Sequence, residues 1–418
     1  MLISDQRNVI DTFRNYHQKP VVGFVLVNNQ IYESVSMFSA NPPSRRYVLK
    51  CAGGLVAAVA LPSFAQGGKA NGTTARSLTI AQLVDTSQAQ QDVGKDFLIG
   101  SQAAWQDINL KGGLQGIKIN HATVEVDGTP ESLRTALVSL KNNPSCVVLS
   151  GTAGDTLASQ LTAELQQKNF PIAHTAPWLQ TSRQDVGDFT FPIFAAREEQ
   201  LSHALKSLTN LGIQDVGAVF ASAQEFNFYR QDLDDTAKAL QITLKTYKSE
   251  GDLYKFGQQL TPGTPAILMF FGGTPELVQF TQGLAKQQRQ RYVIAMANVN
   301  LQTVIQMGAG RTTPIIVAQP VPVVTASLPI VRAYRETMSR LFDEPPVALS
   351  LAGFIAARYT FEVLNNIRGE ITRASALTAF QRRENVDVSG FRVSFNLRRR
   401  SAAYVTQSML TLDSRVIG

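Results

Sequence analysis

Short β-branched apolar runs alternate along the chain with longer stretches in which apolar residues recur at helical spacing. The runs Leu78 to Val84, Thr123 to Val126, Cys146 to Leu149 and Pro171 to Ala173 read as strands buried on both faces. Between the first two, Phe97, Ser101, Ala104 and Ile108 share one helical face, and Lys111-Gly112-Gly113 ends that helix. Leu133, Ala136, Leu137 and Leu140 mark the next helix, which Asn142-Asn143-Pro144 stops. Strands separated by helices predict right-handed βαβ units and a parallel sheet.

The rhythm then restarts. Strands are predicted at Val216 to Phe220, Ile242 to Tyr247, Ala266 to Phe270, Tyr292 to Met296 and Ile315 to Ala318, with helical stretches between them. After Pro320-Val321-Pro322 come two helices, Leu328 to Phe342 and Leu349 to Ile367. A strand pair follows, Phe391 to Phe395 with Tyr404 to Leu412, joined across an arginine run. The expected fold class is α/β, with two doubly wound parallel-sheet lobes joined by hinge strands. Ligands of such sheets bind beyond the carboxyl ends of the strands.

Composition narrows the function classes. The chain has 418 residues, 44% hydrophobic and 17% charged, enough for two cores and not the make-up of a disordered chain. The net charge is +7, but residues 1–65 hold six Lys/Arg against three Asp/Glu, leaving 33 against 29 for the rest. That mild excess lacks the basic stripe and interleaved aromatics of a nucleic-acid binder, and Arg398-Arg399-Arg400 reads as a solvated turn. Of the two cysteines, Cys51 falls in a segment expected to be cleaved and Cys146 opens a strand as a buried, inert thiol.

Ser44-Arg45-Arg46-Tyr47-Val48-Leu49-Lys50, the weakly apolar Cys51 to Leu61 and then Pro62-Ser63-Phe64-Ala65 have the layout of an export signal. Its cut is expected between Ala65 and Gln66. The paired arginines resemble a twin-arginine signal, which implies the twin-arginine translocase as an export partner; a general secretory signal with two arginines is the alternative. Met37 would start this signal correctly, so residues 1–36 read as a leader upstream of the true start, and 37–65 as the signal peptide.

Several segments resemble one family, the Leu/Ile/Val-binding-like solute-binding proteins of ABC importers, with the type I periplasmic binding fold. Carrying the resemblance are Ile80-Ala81-Gln82 with Ser87 and Gly94, the helix from Ala104 to Leu114 ending in Lys111-Gly112-Gly113, Val317 to Pro322, Leu351 to Arg358 and Gly390 to Phe395. It covers nearly everything after residue 77. It implies a first lobe from 77–194 plus 325–385 and a second from 196–320 plus 386–418. Hinges are expected at Ile193 to Ala196, at Gln319 to Val323 and at the last crossover. It also implies a periplasmic location, a small-molecule ligand held by hinge closure, an ABC permease as partner, and neither cofactor nor metal. A sensor that reports the ligand to a signalling receptor is the alternative role.

The ligand residues follow from the same resemblance. The loop Ser150 to Thr156 stands after a strand and before a helix, where free amides can hold an anion. Thr152, Ala153 and Gly154 take the carboxylate-gripping role by resemblance; read alone, the loop serves equally as a turn capped by Asp155 or Thr156. Ala176 and Trp178 follow the next strand, Trp178 standing where a small hydroxyl residue is common, as cleft wall or plain packing. Val93, Phe226, Thr274 and Asn298 complete the expected set. Asn298 occupies the place of an acid that pairs with a ligand ammonium, which turns the expectation toward a small carboxylate with an apolar body, with an amino-acid-like solute as the wider class.

Catalysis is not expected. No G-x-G-x-x-G follows the first strand, and the chain carries no Walker loop or G-x-S-x-G elbow. His17, His121, His174 and His203 show no metal-ligand spacing, and His174 reads as a hydrogen-bonded histidine of the cleft or core.

Overall fold

The computed structural model describes residues 78–418 apart from Ala89, Ser182, Arg183, Glu250, Arg311, Ala402 and Ala403. The expected leader 1–36 and the signal segment 37–65 with its paired arginines lie outside the described residues.

The first sheet is built from β1 (Leu78–Asp85), β2 (Ile119–Val126), β3 (Cys146–Ser150), β4 (Ala173–Thr175) and β5 (Thr190–Phe191), in the order β2-β1-β3-β4-β5 and parallel throughout. Every residue of β1 and β3 is buried, which is why their sequences are continuous apolar runs. The crossovers are α1 (Gln91–Leu110), α2 (Pro130–Lys141) and α3 (Asp155–Gln167). Thr129 caps α2 by accepting the Ser132 amide, and Pro130 sits at the first helical position, where a missing N–H costs nothing.

The second sheet takes β6 (Asp215–Phe220), β7 (Thr243–Lys248), β8 (Ile267–Phe271), β9 (Tyr292–Ala295) and β10 (Ile315–Gln319), all parallel. Its helices are α4 (Arg197–Asn210), α5 (Ala223–Ala239), α6 (Leu253–Gln259), α7 (Thr274–Leu284) and α8 (Leu301–Gln306). The chain then returns to the first sheet with α9 (Pro329–Leu341), α10 (Ala348–Asn365), α11 (Arg373–Gln381) and the hairpin β11 (Val386–Val388) with β12 (Phe391–Val393). It ends back in the second sheet, where β13 (Thr406–Leu410) runs antiparallel to β10 and β14 (Val416–Ile417) closes the edge.

Two helices far apart in sequence meet at their backbones. A Cβ on Gly100 of α1 would lie 1.7 Å from the Ser350 carbonyl oxygen, and one on Gly353 of α10 would lie 1.9 Å from that of Phe97. Glycine on both sides lets α10 complete the first lobe's core, where Phe354 and Ile355 pack with Phe97 and Trp105. Buried Asp107 of α1 holds the return in place by accepting from Lys111 at 2.8 Å, from Arg340 of α9 at 2.6 Å and from Arg358 of α10. Burial opposes its ionisation, but these three cations keep the carboxyl below its usual range.

The chain ending differs from the expected strand pair. Phe391–Val393 folds back on Val386–Val388 through a two-residue turn in which Ser389 (φ 51) and Gly390 (φ 95) are both left-handed, whereas Thr406–Leu410 pairs with β10. Val388, Phe391 and Val393 belong to the first core and Leu410 to the second lobe. The block 386–418, expected as a whole in the second lobe, is therefore split between the two. The strand β5 and the helix α11 are further elements that apolar runs did not mark; β5 has two residues, too few to show a period.

Candidate functional site

A parallel α/β sheet delivers its helix N-termini and the loops before them to the carboxyl ends of its strands. Here both lobes turn that end toward one cavity of about 480 Å³. The first lobe contributes Asp85 at the end of β1, Asp127 and Thr129 after β2, and Asp155 opening α3; the second contributes Glu225 and Tyr229 of α5, Glu276 of α7 and Asn298 after β9. Five carboxylates line the cavity, those of Asp85, Asp127, Asp155, Glu225 and Glu276, and among the described lining residues there is no Lys, Arg or His.

Three of these acids stand in the first turn of a helix, Asp155 in α3, Glu225 in α5 and Glu276 in α7, where the helix dipole favours negative charge. Backbone donors satisfy others. Asp85 Oδ1 accepts the Ser87 amide at 2.9 Å, and Asp127 Oδ1 accepts the Thr129 amide at 2.9 Å and its hydroxyl at 2.6 Å, which holds the Asp127 carboxyl below its usual range. Burial pushes the Glu225 carboxyl up, opposed by Arg197 and reinforced by Glu276 and Asp155.

Several polar pairs join the lobes, that of Gln180 with Gln200 and the following three among them. Arg197 Nη2 of α4 lies 3.2 Å from Asp155 Oδ2 of α3, and its guanidinium covers the rings of Phe228 at 3.6 Å and Tyr229 at 4.4 Å. Burial pushes the Asp155 carboxyl up while Arg197 pulls it down. Trp178 Nε1 donates to Asn298 Oδ1 at 3.4 Å. Asn300 caps α8 through its Oδ1 and donates from Nδ2 to Asp96 of α1. Burial raises the Asp96 carboxyl to about 6, with Lys95 opposing and Asp92 and Glu344 reinforcing.

The residues expected to hold a ligand are divided by this geometry. Asn298 lines the acidic cavity, and its partner Trp178 lines an apolar pocket of about 110 Å³ beside it. Gly154 (φ 119) turns the chain into α3 so tightly that a Cβ there would lie 2.7 Å from that of Asp85. Ala153 is fully buried, and its amide is engaged with the Leu83 carbonyl at 3.0 Å, which leaves it no free N–H for an anion. Thr152 is fully buried as well, its hydroxyl 2.9 Å from His174 Nε2. The Ala176 amide donates to Phe191 at 2.9 Å, and Val93 packs in the first core. Thr274 is buried with its hydroxyl accepting the Asn300 amide at 3.0 Å. Phe226 lies edge-on to Phe220 at 5.2 Å under the Lys248 ammonium, while Phe228 and Tyr229 reach the cavity in its place.

His174 is a core residue. Threonines flank both ring nitrogens, Thr152 at 2.9 Å and Thr190 at 3.2 Å, and burial lowers its pKa to about 3. A ring held neutral and enclosed in this way has no solvent route for proton transfer. Among the described residues, no group of three or more His, Cys, Asp and Glu could hold a metal ion.

Fold and cleft together define a two-lobed α/β protein with an acidic cavity lined from both lobes. The chain belongs to the periplasmic binding protein family, whose sequence profile matches residues 77–411. Its structure is similar to that of an extracellular ligand-binding receptor from Verminephrobacter eiseniae, at 15% identity over 82% of this chain and 100% of that one, TM-score 0.73. It is also similar to a fatty acid ABC transporter substrate-binding protein from Thermomonospora curvata, at 13% identity over 82% and 91%, TM-score 0.68. A third is the branched-chain amino acid transporter substrate binding protein from Streptococcus pneumoniae in complex with isoleucine, at 13% identity over 82% and 98%, TM-score 0.65. At these identities the likeness is one of fold. No curated protein matches the sequence.

Proposed function

We propose that the protein is the solute-binding component of an ABC importer, and that its solute carries a cationic nitrogen. The observation that supports this reading is the cavity itself, which both lobes line with five carboxylates and to which no described basic side chain contributes. Low-dielectric walls with an excess of one sign concentrate counter-charge, so even with Arg197 offsetting Asp155 an ammonium gains there and a free carboxylate is repelled. Within the wider expectation of an amino-acid-like solute, this shifts the weight away from a simple carboxylate. A thermal-shift panel tests it. Compounds with a cationic nitrogen should raise the melting temperature, Asp85→Asn with Glu225→Gln should abolish the rise, and stabilisation by carboxylic acids alone would overturn the reading.

Export belongs to the same proposal. Residues 37–65 act as a cleavable signal cut between Ala65 and Gln66 and read by the twin-arginine translocase. Changing Arg45 and Arg46 to Lys should leave uncut precursor in the cytoplasm; normal processing of that variant would overturn this route.

A further inference from the structure

The acidic cavity and the apolar pocket are linked by one hydrogen-bonded residue pair: Asn298 lines the first, Trp178 the second. The pocket lined by Trp178 is walled mainly by apolar residues such as Val299, Leu301, Val321 and Leu349, with Gln319 and Ser408 at its polar side, so it offers a largely apolar surface near a cavity suited to a cationic head. The Trp178 indole, which lines the pocket and donates to Asn298 of the cavity, is only 1% exposed. Phe97 meets it edge-on at 5.8 Å, Phe194 lies 5.7 Å away, its Nε1 donates to Asn298, and its own amide donates to the Thr152 carbonyl at 2.8 Å. Swinging the ring aside would break that packing and leave an indole N–H and an amide oxygen unpaired in a buried place.

We propose that Trp178 is the specificity-determining residue of the cleft, its indole acting as a partition that admits a cationic head and excludes a branched apolar tail. This rests on the cleft being the solute site. A small residue at 178 would join pocket and cavity into one site with a charged end and an apolar end.

The test is calorimetric, with isoamylamine as the tailed cation and methylamine as the tailless one, on the full mature chain. Trp178→Ser should raise the preference for isoamylamine over methylamine at least about tenfold relative to the unaltered protein, the return expected from burying a few methylenes. Trp178→Phe, which keeps a ring in place but drops the N–H that Asn298 accepts, should show no gain in preference for isoamylamine over methylamine. Trp178→Leu, apolar and smaller, should gain in part and serves where the serine variant does not fold. Isoamylamine bound equally well by the unaltered protein, or gained equally by the Phe and Ser variants, would overturn the partition. Failure of both amines on every variant would instead overturn the cationic reading of the cavity.

Discussion

Arg197 and Asp155 form a buried ion pair between the lobes, 3.2 Å apart, with side chains 4% and 6% exposed. Each opens a helix, α4 and α3 respectively, so the pair ties together two chain segments that enter the cleft from opposite sides. Arg197 also donates to the Phe228 carbonyl at 2.9 Å while lying on the Phe228 ring.

Removing one partner of such a pair leaves the other charge buried. Arg197→Ala should lower the unfolding free energy by about 3 kcal/mol, measured by urea titration. Arg197→Lys should fall between, because an ammonium keeps the charge and loses the planar stack.

Gly353→Ala should be among the most damaging single-methyl changes in the first lobe. The new Cβ would stand 1.9 Å from a backbone oxygen that cannot move without displacing α1. A loss of about 3 kcal/mol or failure to fold is expected, whereas Gly112→Ala, whose Cβ meets nothing within 4 Å, should cost less and act through its positive φ (108) alone.

Acid stability is set by opposing groups. His174 at about 3 and His121 at about 4 are held neutral by burial. The unfolded chain takes up protons below about 6.5 that the fold refuses, so their contribution is lost as pH falls from there toward 3. Asp96 acts the other way. With its pKa raised to about 6, the fold keeps a proton that the unfolded chain gives up, so this term stabilises at pH 4 and is lost as pH rises through 6. Asp96→Asn should therefore be more stable than the unaltered protein at pH 7, by about 2 kcal/mol, with the gap closing by pH 4 in melting curves.

The chain has two tryptophans, and they report on different places. Trp105 sits in the first core, 6.3 Å from the His121 ring, and Trp178 sits between the lobes. Solute-dependent emission should survive Trp105→Phe and vanish in Trp178→Phe; the reverse pattern would place the solute away from the cleft.

The fold was legible because buried parallel strands leave long apolar runs and their helices leave periodic ones, as β1, β3, α1 and α10 do. The end of the chain was not, since Val386–Val388 is three residues long and a hairpin reads like any two runs joined by a turn. At the cavity, the loops were legible in the sequence and the side-chain contacts were not. Ala153 sits at the right turn, but its amide serves the bridge between Val84 and Ala153, a pairing no local pattern encodes. Phe226-Asn227-Phe228-Tyr229 places three aromatics at one helix start, and which of them faces the cavity depends on how α5 is rotated, which no local pattern encodes. Asp85 ends a strand as an unremarkable turn residue, and becomes a wall only when the second lobe brings Glu225 and Glu276 opposite.

The meeting of Gly100 with Ser350 and of Gly353 with Phe97 also sets a timetable. The ribosome delivers α1 some 250 residues before the helix that completes its core. Until α10 leaves the exit tunnel, the apolar face formed by Phe97, Ala104 and Trp105 lacks the part of its cover that Phe354 and Ile355 supply, and contacts of such long sequence separation form late and slowly. A nascent chain halted before Ala348 should stay open to protease and to chaperones along α1, and release of the last seventy residues should seal both at once.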